Sequence, residues 1–339
     1  MQGIGARLNS ATSQSFAGRH FPAVRLPAML AEPRRIEHPL RAEMLVSLDA
    51  RTDMVQFADA LDESEYIELS RFLSRYPNVT LRAYGELANL DFLQHFPELR
   101  RLQVDIYSLE NWDGLKHLPS DLEVLGLGTT KKTLSLAVIK RFRSIRRLYL
   151  EGHHKDIGVL ADMSGLRELT LRSLTLPDLG LLTGLRQLWS LEIKLGGTRD
   201  LRLLPRLKSL KYLELWMVRG LEDLSPVGDA VSLQYLSLQA LRRVRSIPNL
   251  HKMTNLRRVY VETMKGLRDL RPLASAPALE ELFVVGMSHL QPADFANFLG
   301  LHSLKRVSAG LGSQTKNEAV ASLLGSLAYS GQHPRFEFR

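Results

Sequence analysis

The most regular feature of the chain is a six-residue pattern of apolar and polar positions. In residues 210–215, Leu-Lys-Tyr-Leu-Glu-Leu, leucine fills the first, fourth and sixth positions. The alternation in its second half predicts a short strand whose fourth and sixth side chains point into a core. Successive copies start 21 to 23 residues apart, with a last step of 25. The copies occupy residues 76–81, 99–104, 122–127, 145–150, 166–171, 188–193, 210–215, 233–238, 256–261, 279–284 and 304–309, of which the first and last are the weakest matches.

Between these frames, apolar residues recur at every third position. Two examples are the sets Leu201, Leu204, Leu207 and Leu267, Leu270, Leu273. This spacing predicts 3₁₀ turns, in which side chains three residues apart eclipse, because an α-helix of 3.6 residues per turn would rotate such a stripe away. Prolines in the same segments also disfavour continuous helices: Pro226, Pro248, Pro272 and Pro277.

A fixed period of this length with this pattern is the signature of a leucine-rich repeat solenoid. We therefore predict an α/β repeat solenoid, a curved horseshoe with a parallel β-sheet on its concave side and short 3₁₀ turns on its convex side. Residues 76–310 form the array of about 10 or 11 repeats. Because terminal repeats would otherwise expose apolar edges, we expect a helical cap at each end.

The flanking segments are assigned by composition. Residues 1–40 contain five arginines before position 36 and no acid before Glu32, which indicates a disordered basic leader. Residues 41–75 form the N-terminal cap, with a strand at residues 44–48 and a helix opened by residues 62–65, whose apolar stripe is Tyr66, Leu69, Phe72 and Leu73. Residues 311–339 form the C-terminal cap, a helix near Asn317 followed by a closing strand that carries Phe336 and Phe338.

The repeats resemble the short-repeat class of leucine-rich proteins, the class of the bacterial internalins and of the leucine-rich regulatory subunits of protein phosphatases. The resemblance lies in segments such as residues 220–227, Gly-Leu-Glu-Asp-Leu-Ser-Pro-Val, and 266–273, Gly-Leu-Arg-Asp-Leu-Arg-Pro-Leu. It covers roughly residues 76–310. It implies a bacterial source and a non-enzymatic protein–protein interaction module acting as an adaptor, an enzyme regulator, an immunity protein or an effector.

One departure from that class concerns the turn after each strand. The class usually places an asparagine there, whose amide satisfies backbone groups in the turn. This sequence has other residues at those places: Tyr107, His153, Val218, Leu241 and Met264. We therefore expect backbone or water to satisfy the turns.

The net charge of +9 admits a second hypothesis, a protein that binds nucleic acid or another anionic ligand, aided by the Arg-rich leader. Acids and bases are interspersed along the repeats, which favours a solvated surface instead. The chain contains no cysteine and no apolar run long enough to span a membrane. We expect a cytoplasmic protein, with a secreted bacterial effector as the alternative.

The sequence contains no recognisable catalytic motif. Phosphate-binding glycine loops, H-E-x-x-H and G-x-S-x-G are absent, and without cysteine there is no thiol nucleophile or thiolate metal site. The densest cluster of potential ligands, His153-His154-Lys155-Asp156, falls in a turn where polar residues are ordinary. We therefore predict no enzymatic activity, cofactor or metal, and keep an enzyme with an unrecognised site as a third hypothesis.

The candidate binding residues lie between the buried leucines. The third and fifth positions of each frame, and the residue after it, should face the concave side, since alternate side chains of a strand point in opposite directions. Aromatic residues fill several of these positions in consecutive repeats, and Tyr, Trp and Arg are enriched in binding hot spots. The predicted protein-binding surface comprises Arg147, Tyr149, Tyr212, Glu214, Trp216, Tyr235, Arg258, Tyr260, Glu262 and Phe283.

Overall fold

The computed structural model describes residues 32–331 and 333–339. Thirteen strands in the described residues form a parallel sheet in which each strand pairs with the next along the chain. In chain order they are β1 Arg34–Ile36, β2 Met54–Phe57, β3 Thr80–Tyr84, β4 Arg101–Asp105, β5 Val124–Leu127, β6 Arg147–Glu151, β7 Glu168–Arg172, β8 Ser190–Lys194, β9 Tyr212–Trp216, β10 Tyr235–Gln239, β11 Arg258–Glu262, β12 Glu281–Val285 and β13 Arg306–Gly310. This architecture confirms the predicted curved solenoid.

The apolar frame sets the register of the sheet. Leu213 in β9 lies opposite Leu191 in β8 and Leu236 in β10, and Leu236 in turn lies opposite Val259. Each of these side chains is fully buried. A shift by one residue would turn every leucine of a strand to the other face, so the repeated frame holds the repeats in register.

The convex side consists of short turns rather than long helices, as predicted. The leucines of the three-residue stripes, such as Leu201 and Leu204, are buried in the same continuous core as the strand leucines. The 3₁₀ segments are Ala42–Leu45, Asp91–His95, Asp113–His117, Leu136–Arg141, Ile157–Asp162, Gly180–Leu182, Leu204–Arg206, Ser225–Asp229, Arg271–Ser275, Pro292–Phe298 and Gly325–Leu327.

Side chains, and not only backbone or water, satisfy several of the turns that lack asparagine. His153 is buried, and its Nδ1 accepts the backbone N–H of Leu134 at 3.1 Å. The sulfur of Met264 lies 3.4 Å from the backbone nitrogen of Leu241 and acts as the acceptor there. The expectation for these turns is therefore wrong at those positions. Two further acceptors of the same kind are Thr198 Oγ1, for Leu176, and Met287 Sδ, for Met264.

The residue that follows a strand adopts the left-handed conformation in several repeats. Ala240 has φ of 50° and Thr263 has φ of 51°. In this conformation the backbone N–H of Ala240 reaches the carbonyl of Glu262 in the next repeat, at 2.8 Å. The turn therefore adds one more hydrogen bond between repeats, while the side chain at that position is in an unfavourable conformation.

Replacing Ala240 by glycine should raise the free energy of unfolding slightly, by about 0.5 kcal/mol. The left-handed conformation costs an L-residue roughly 1–2 kcal/mol, and the greater flexibility of glycine in the unfolded chain offsets part of the gain. Urea denaturation measures the change. Ala83→Gly is the control, because Ala83 is buried within β3 and glycine there should destabilise the protein. A loss of stability in Ala240→Gly would contradict the strain argument.

The N-terminal cap contains the predicted helix but different strands. Helix α1, Glu63–Leu73, buries Tyr66, Leu69, Phe72 and Leu73, and the Glu65 carboxylate accepts the backbone N–H of Asp62 at 2.7 Å. The strand predicted at residues 44–48 is wrong, since Ala42–Leu45 is a 3₁₀ turn and the strand is β2. Strand β1 lies inside the segment assigned to the leader, so the repeat body starts before the predicted boundary at residue 40; residues 1–31 lie outside the described part of the chain.

The C-terminal cap contains the predicted helix but not the predicted closing strand. Helix α2, Gln314–Leu324, buries Val320 and Leu324 and follows β13. The closing strand predicted for Phe336 and Phe338 is wrong, because residues 333–339 do not join the sheet. In the described residues, neither α-helix is long and apolar enough to cross a membrane.

Candidate binding surface on the concave face

The strands place the predicted binding residues on one side of the sheet. In β9, Leu213 and Leu215 enter the leucine core, while Tyr212, Glu214 and Trp216 point to the opposite, concave side. The parallel register brings Tyr212 beside Tyr235 in β10. It also brings Tyr260 in β11 beside Phe283 in β12. The aromatic residues predicted to be neighbours are therefore neighbours.

The aromatic residues are not a free surface, because residues 333–339 cover them. We call these seven residues the docked segment. Its Phe336 ring lies 5.4 Å from the Tyr235 ring, and its Phe338 ring lies 5.1 Å from the Trp189 ring. Tyr212 and Tyr235 consequently keep only 6% and 3% of their surface exposed. The surface beneath the docked segment, called here the aromatic groove, consists of Trp189, Tyr212, Tyr235, Tyr260 and Phe283.

The docked segment crosses the amino-terminal ends of several strands. His333 packs on Phe283 of β12 with ring centroids 4.1 Å apart, whereas Phe338 reaches Tyr212 of β9 at 6.4 Å. Trp216 and Glu262, at the carboxyl-terminal ends of β9 and β11, are half-buried. The docked segment thus divides the predicted surface into a covered part and a more accessible part.

Long polar side chains hold the main chain of the docked segment. Lys211 Nζ and Gln234 Nε2 each donate to the main-chain oxygen of Arg339 at 2.7 Å. Gln234 Oε1 also accepts the N–H of Arg339 at 2.8 Å, so this amide forms two bonds to one residue. Arg257 donates to the carbonyl of Glu337 at 2.9 Å. These bonds depend on the backbone and not on the identity of the side chains above it.

Arg258 links the docked segment to the sheet. Its guanidinium is ion-paired with Glu281 of the next strand and donates to the carbonyl of Pro334 at 2.9 Å. It lies 5.0 Å from the Phe336 ring and 5.3 Å from the Tyr235 ring, within cation–π distance of both. With 1% of its surface exposed, Arg258 is a buried charge whose solvation comes from these partners.

A second, open part of the concave face lies toward the N-terminal strands. A cavity of about 390 Å³, here the N-terminal pocket, is lined by residues that include Arg82, Tyr84, Gln103, Tyr149 and Arg172. Tyr149 donates to the carboxylate of Glu151 at 2.7 Å, and Arg172 pairs with the same carboxylate at 2.9 Å. The Arg172 guanidinium also lies 5.4 Å from the Trp216 ring, which connects the pocket to the middle of the sheet.

Arg147 lies in β6, two residues before Tyr149 of the pocket lining, and forms a strong ion pair. Its guanidinium forms two parallel hydrogen bonds to the Glu168 carboxylate, at 2.7 and 2.9 Å. Both residues are half-buried on adjacent strands. Bidentate pairing of this kind fixes the orientation of both side chains, so Arg147 has a defined position on its strand.

A buried cluster of charges joins the two parts of the concave face. The ammonium of Lys194 lies 2.7 Å from the Glu192 carboxylate and 3.1 Å from that of Glu214. Burial raises the pKa of Glu192 to about 8; the Lys194 ammonium opposes this rise and the neighbouring Glu214 carboxylate adds to it. One ammonium between two carboxylates leaves an excess negative charge, which a proton on Glu192 removes.

This raised pKa predicts that stability falls between about pH 5 and pH 8. The unfolded chain releases the Glu192 proton near its ordinary pKa, whereas the folded protein retains it to about pH 8, so stabilisation present at low pH is lost as pH rises. Comparing urea denaturation of the parent and Glu192→Gln at the two pH values isolates this loss, which the variant should lack. Glu222→Gln, an exposed position, should behave as the parent does. Parallel pH profiles for the parent and Glu192→Gln would contradict the assignment.

Two groups of potential metal ligands in the described residues, one around His153 and one around His38, have structural roles instead. His153 is buried by the turn described above, and burial lowers the pKa of its imidazole. Within residues 32–331 and 333–339, His38, Asp62 and Glu65 bring three potential ligand atoms together. The Glu65 carboxylate in that group already accepts the N–H of Leu40 at 2.5 Å and that of Asp62. It acts there as a helix cap.

Four residues that contact the docked segment were absent from the predicted binding surface. Trp189, Lys211, Gln234 and Arg257 occupy the second position of successive frames, one residue before each strand, which our prediction did not consider. Their recurrence as large or polar residues at the same repeat position was the available signal. The contact of Trp189 with Phe338, however, depends on the course of the docked segment and has no local signature.

One frame per repeat, one strand per frame and an ordered parallel sheet define a leucine-rich repeat protein. Among solved structures, the chain is similar to Toll in the Toll–Spatzle complex of Drosophila, with 14% identity and a TM-score of 0.52 over 81% of this chain and 42% of that one. It is also similar to an internalin of Listeria monocytogenes, with 20% identity and a TM-score of 0.48 over 78% of this chain and 89% of that one. A leucine-rich repeat protein of Leptospira interrogans shows 16% identity and a TM-score of 0.35 over 84% and 93% of the two chains.

These likenesses concern the fold. No protein-family model matches the chain. No curated protein matches it either.

Proposed function

We propose that this protein recognises a protein partner through its concave face and does not act as an enzyme. The observation that carries the proposal is the docked segment, an extended stretch of polypeptide held on that face by aromatic contacts and by hydrogen bonds to its main chain. A surface that accommodates seven residues of its own chain has the chemistry needed for a peptide of another protein.

The accessible part of the concave face supplies the first contact surface for such a partner. It runs from the N-terminal pocket to Trp216 and combines tyrosine and tryptophan rings with paired charges. Gln103 lines the pocket, where its amide nitrogen donates to the Asp105 carboxylate at 2.7 Å.

The charges on this face favour a protein over a polyanion. Arg82 pairs with Asp105, Arg147 with Glu168 and Arg172 with Glu151. Because each of these arginines has a carboxylate beside it, the surface lacks the unbalanced positive potential that phosphate binding requires. The alternative of a nucleic-acid ligand therefore gains no support from the concave face.

The proposal is tested by capture of a partner from the native host, followed by affinity measurements with variants. Tyr149→Ala and Trp216→Ala should each weaken binding by at least about tenfold, as truncation of hot-spot aromatics does. Val231→Ala is the control, since Val231 is an exposed apolar residue in the turn before β10 and lies outside the concave face. Unchanged affinity in both concave variants, with unchanged melting curves, would refute the proposal.

A further inference from the structure

We infer that the aromatic groove is a recognition site for a partner segment that carries two aromatic side chains two residues apart. The docked segment holds this site as an internal ligand, which the partner segment must displace. The inference rests on the proposed function and adds the chemistry of the partner and the competition at the site.

Two adjoining slots for rings define what the groove accepts, and the rings that fill them pack against each other with centroids 4.8 Å apart. Phe336 fills one slot between the Tyr235 ring and the guanidinium groups of Arg257 and Arg258, each 5.0 Å from the Phe336 ring. Phe338 fills the other slot, against Trp189 and Tyr212. In an extended chain, residues two apart point the same way, so an aromatic–any–aromatic sequence places a ring in each slot.

The side chains between and beside the two rings contribute little to the contact, apart from an exposed ion pair between Arg339 and Glu280 at 3.4 Å. Arg335, Glu337 and Arg339 are exposed, while the groove bonds to the main-chain groups of Pro334, Glu337 and Arg339. Main-chain contacts give affinity without reading the sequence, and pockets for alternate side chains give the specificity. The groove therefore recognises the backbone and the two phenylalanine rings, with a further ring contact between His333 and Phe283.

The docked segment has the properties of a ligand rather than of a structural element. It forms no ladder with the sheet, and Tyr212, Tyr235 and Phe336 make an apolar cluster separate from the leucine core. Releasing it leaves every strand-to-strand bond and every buried leucine in place. Its removal exposes the aromatic groove without dismantling the repeats.

Because the docked segment is tethered, it competes strongly with free peptides. A short tether gives an effective concentration in the millimolar range, so a free peptide with the same contacts must approach that level to displace it. A partner that first binds the accessible part of the concave face presents its own segment at a similarly high local concentration. Binding first to the accessible face and then to the aromatic groove would allow the partner to displace the docked segment.

The test uses the full chain and a fluorescein-labelled peptide with the sequence of residues 333–339. In Phe336→Ala/Phe338→Ala, the groove is no longer held by its internal rings, so the peptide should bind at least about tenfold more tightly than it binds the parent. A peptide with alanine at both phenylalanine positions is the matched control and should bind neither protein. Equal binding of the two peptides to the variant overturns the inference.

A second measurement keeps the test valid if the double variant folds poorly. The chain has no cysteine, so Glu337→Cys places a single spin label on the exposed side of the docked segment. Unlabelled peptide in the millimolar range should convert the immobilised spectrum to a mobile one, and an unchanged spectrum at saturation overturns displacement. If the parent is instead a dimer that the peptide disperses, the occupant is a second copy of this chain and the partner assignment is overturned.

The groove inference and the proposed function can be refuted independently of each other. Capture of a partner and its loss in Tyr149→Ala and Trp216→Ala need no peptide, so recognition through the accessible surface can stand while the groove inference falls. Binding of the phenylalanine peptide by the released groove, with no partner lost in those variants, would instead retain the groove chemistry and reject the proposed function.

Discussion

Replacing Leu213 by alanine should lower the free energy of unfolding by about 2–5 kcal/mol, as large-to-small changes in packed cores do. Leu213 has no exposed surface and lies between Leu191 and Leu236 of the neighbouring strands. Because each repeat packs only on its neighbours, the cavity opens at the two interfaces on which the middle of the array depends. Equilibrium denaturation in urea measures the loss.

Leu299→Ala is the matched control for this prediction. It is the same chemical change at a leucine that keeps 48% of its surface exposed, and it should shift the free energy of unfolding by no more than about 0.5 kcal/mol. A loss near zero in Leu213→Ala would mean that the apolar frame does not form the core, and that the repeat assignment is wrong.

Arg258→Met should cost about 3 kcal/mol of stability. Removing one member of a buried ion pair leaves an uncompensated charge, here on Glu281, and such changes typically cost 3–5 kcal/mol. Arg306 also contacts Glu281, at 2.9 Å, so we expect the lower end of that range. The docked segment would lose its bond from Arg258 to Pro334 as well, and we expect it to be released together with the loss of stability.

Two comparisons make the Arg258 prediction specific. Arg243→Met removes the arginine of an exposed pair with Glu222, where both side chains are more than half exposed, and should change stability by about 0.5 kcal/mol or less. In Arg258→Met/Glu281→Leu the buried carboxylate is removed as well, and only the partly exposed Arg306 loses a partner, so the double variant should be more stable than Arg258→Met alone. A double variant less stable than either single variant would contradict the buried-charge argument.

The sequence predicted the repeat array well because its signal is local and repeated. In residues 212–215, Tyr-Leu-Glu-Leu, leucine alternates with less apolar residues, and β9 runs over Tyr212–Trp216 as that alternation requires. The three-residue apolar stripes indicated 3₁₀ turns for the same reason. Local patterns of this kind decide which side of a strand is buried, and therefore also which residues face the concave side.

The prediction failed where a residue's partner lies far along the chain. Phe336 and Phe338 alternate with charged residues, which indicates one-sided burial but does not identify the surface that covers them. A closing strand and a docked segment share this pattern, and only the fold distinguishes contact with Tyr235 from pairing with β13. The short apolar run at residues 44–48 is a similar case, because apolar residues without a repeated frame fit a strand and a 3₁₀ turn equally well.

The docked segment also affects how the array unfolds. In a solenoid, cooperativity is one-dimensional, since each repeat is coupled only to the repeats on either side. Residues 333–339 contact side chains from Trp189 to Phe283 and so connect repeats that do not otherwise touch. They therefore couple the stability of one repeat to that of repeats that are not its nearest neighbours. With the segment docked, amide hydrogen exchange across β8–β12 should approach a single opening event, and with it released each repeat should open more independently.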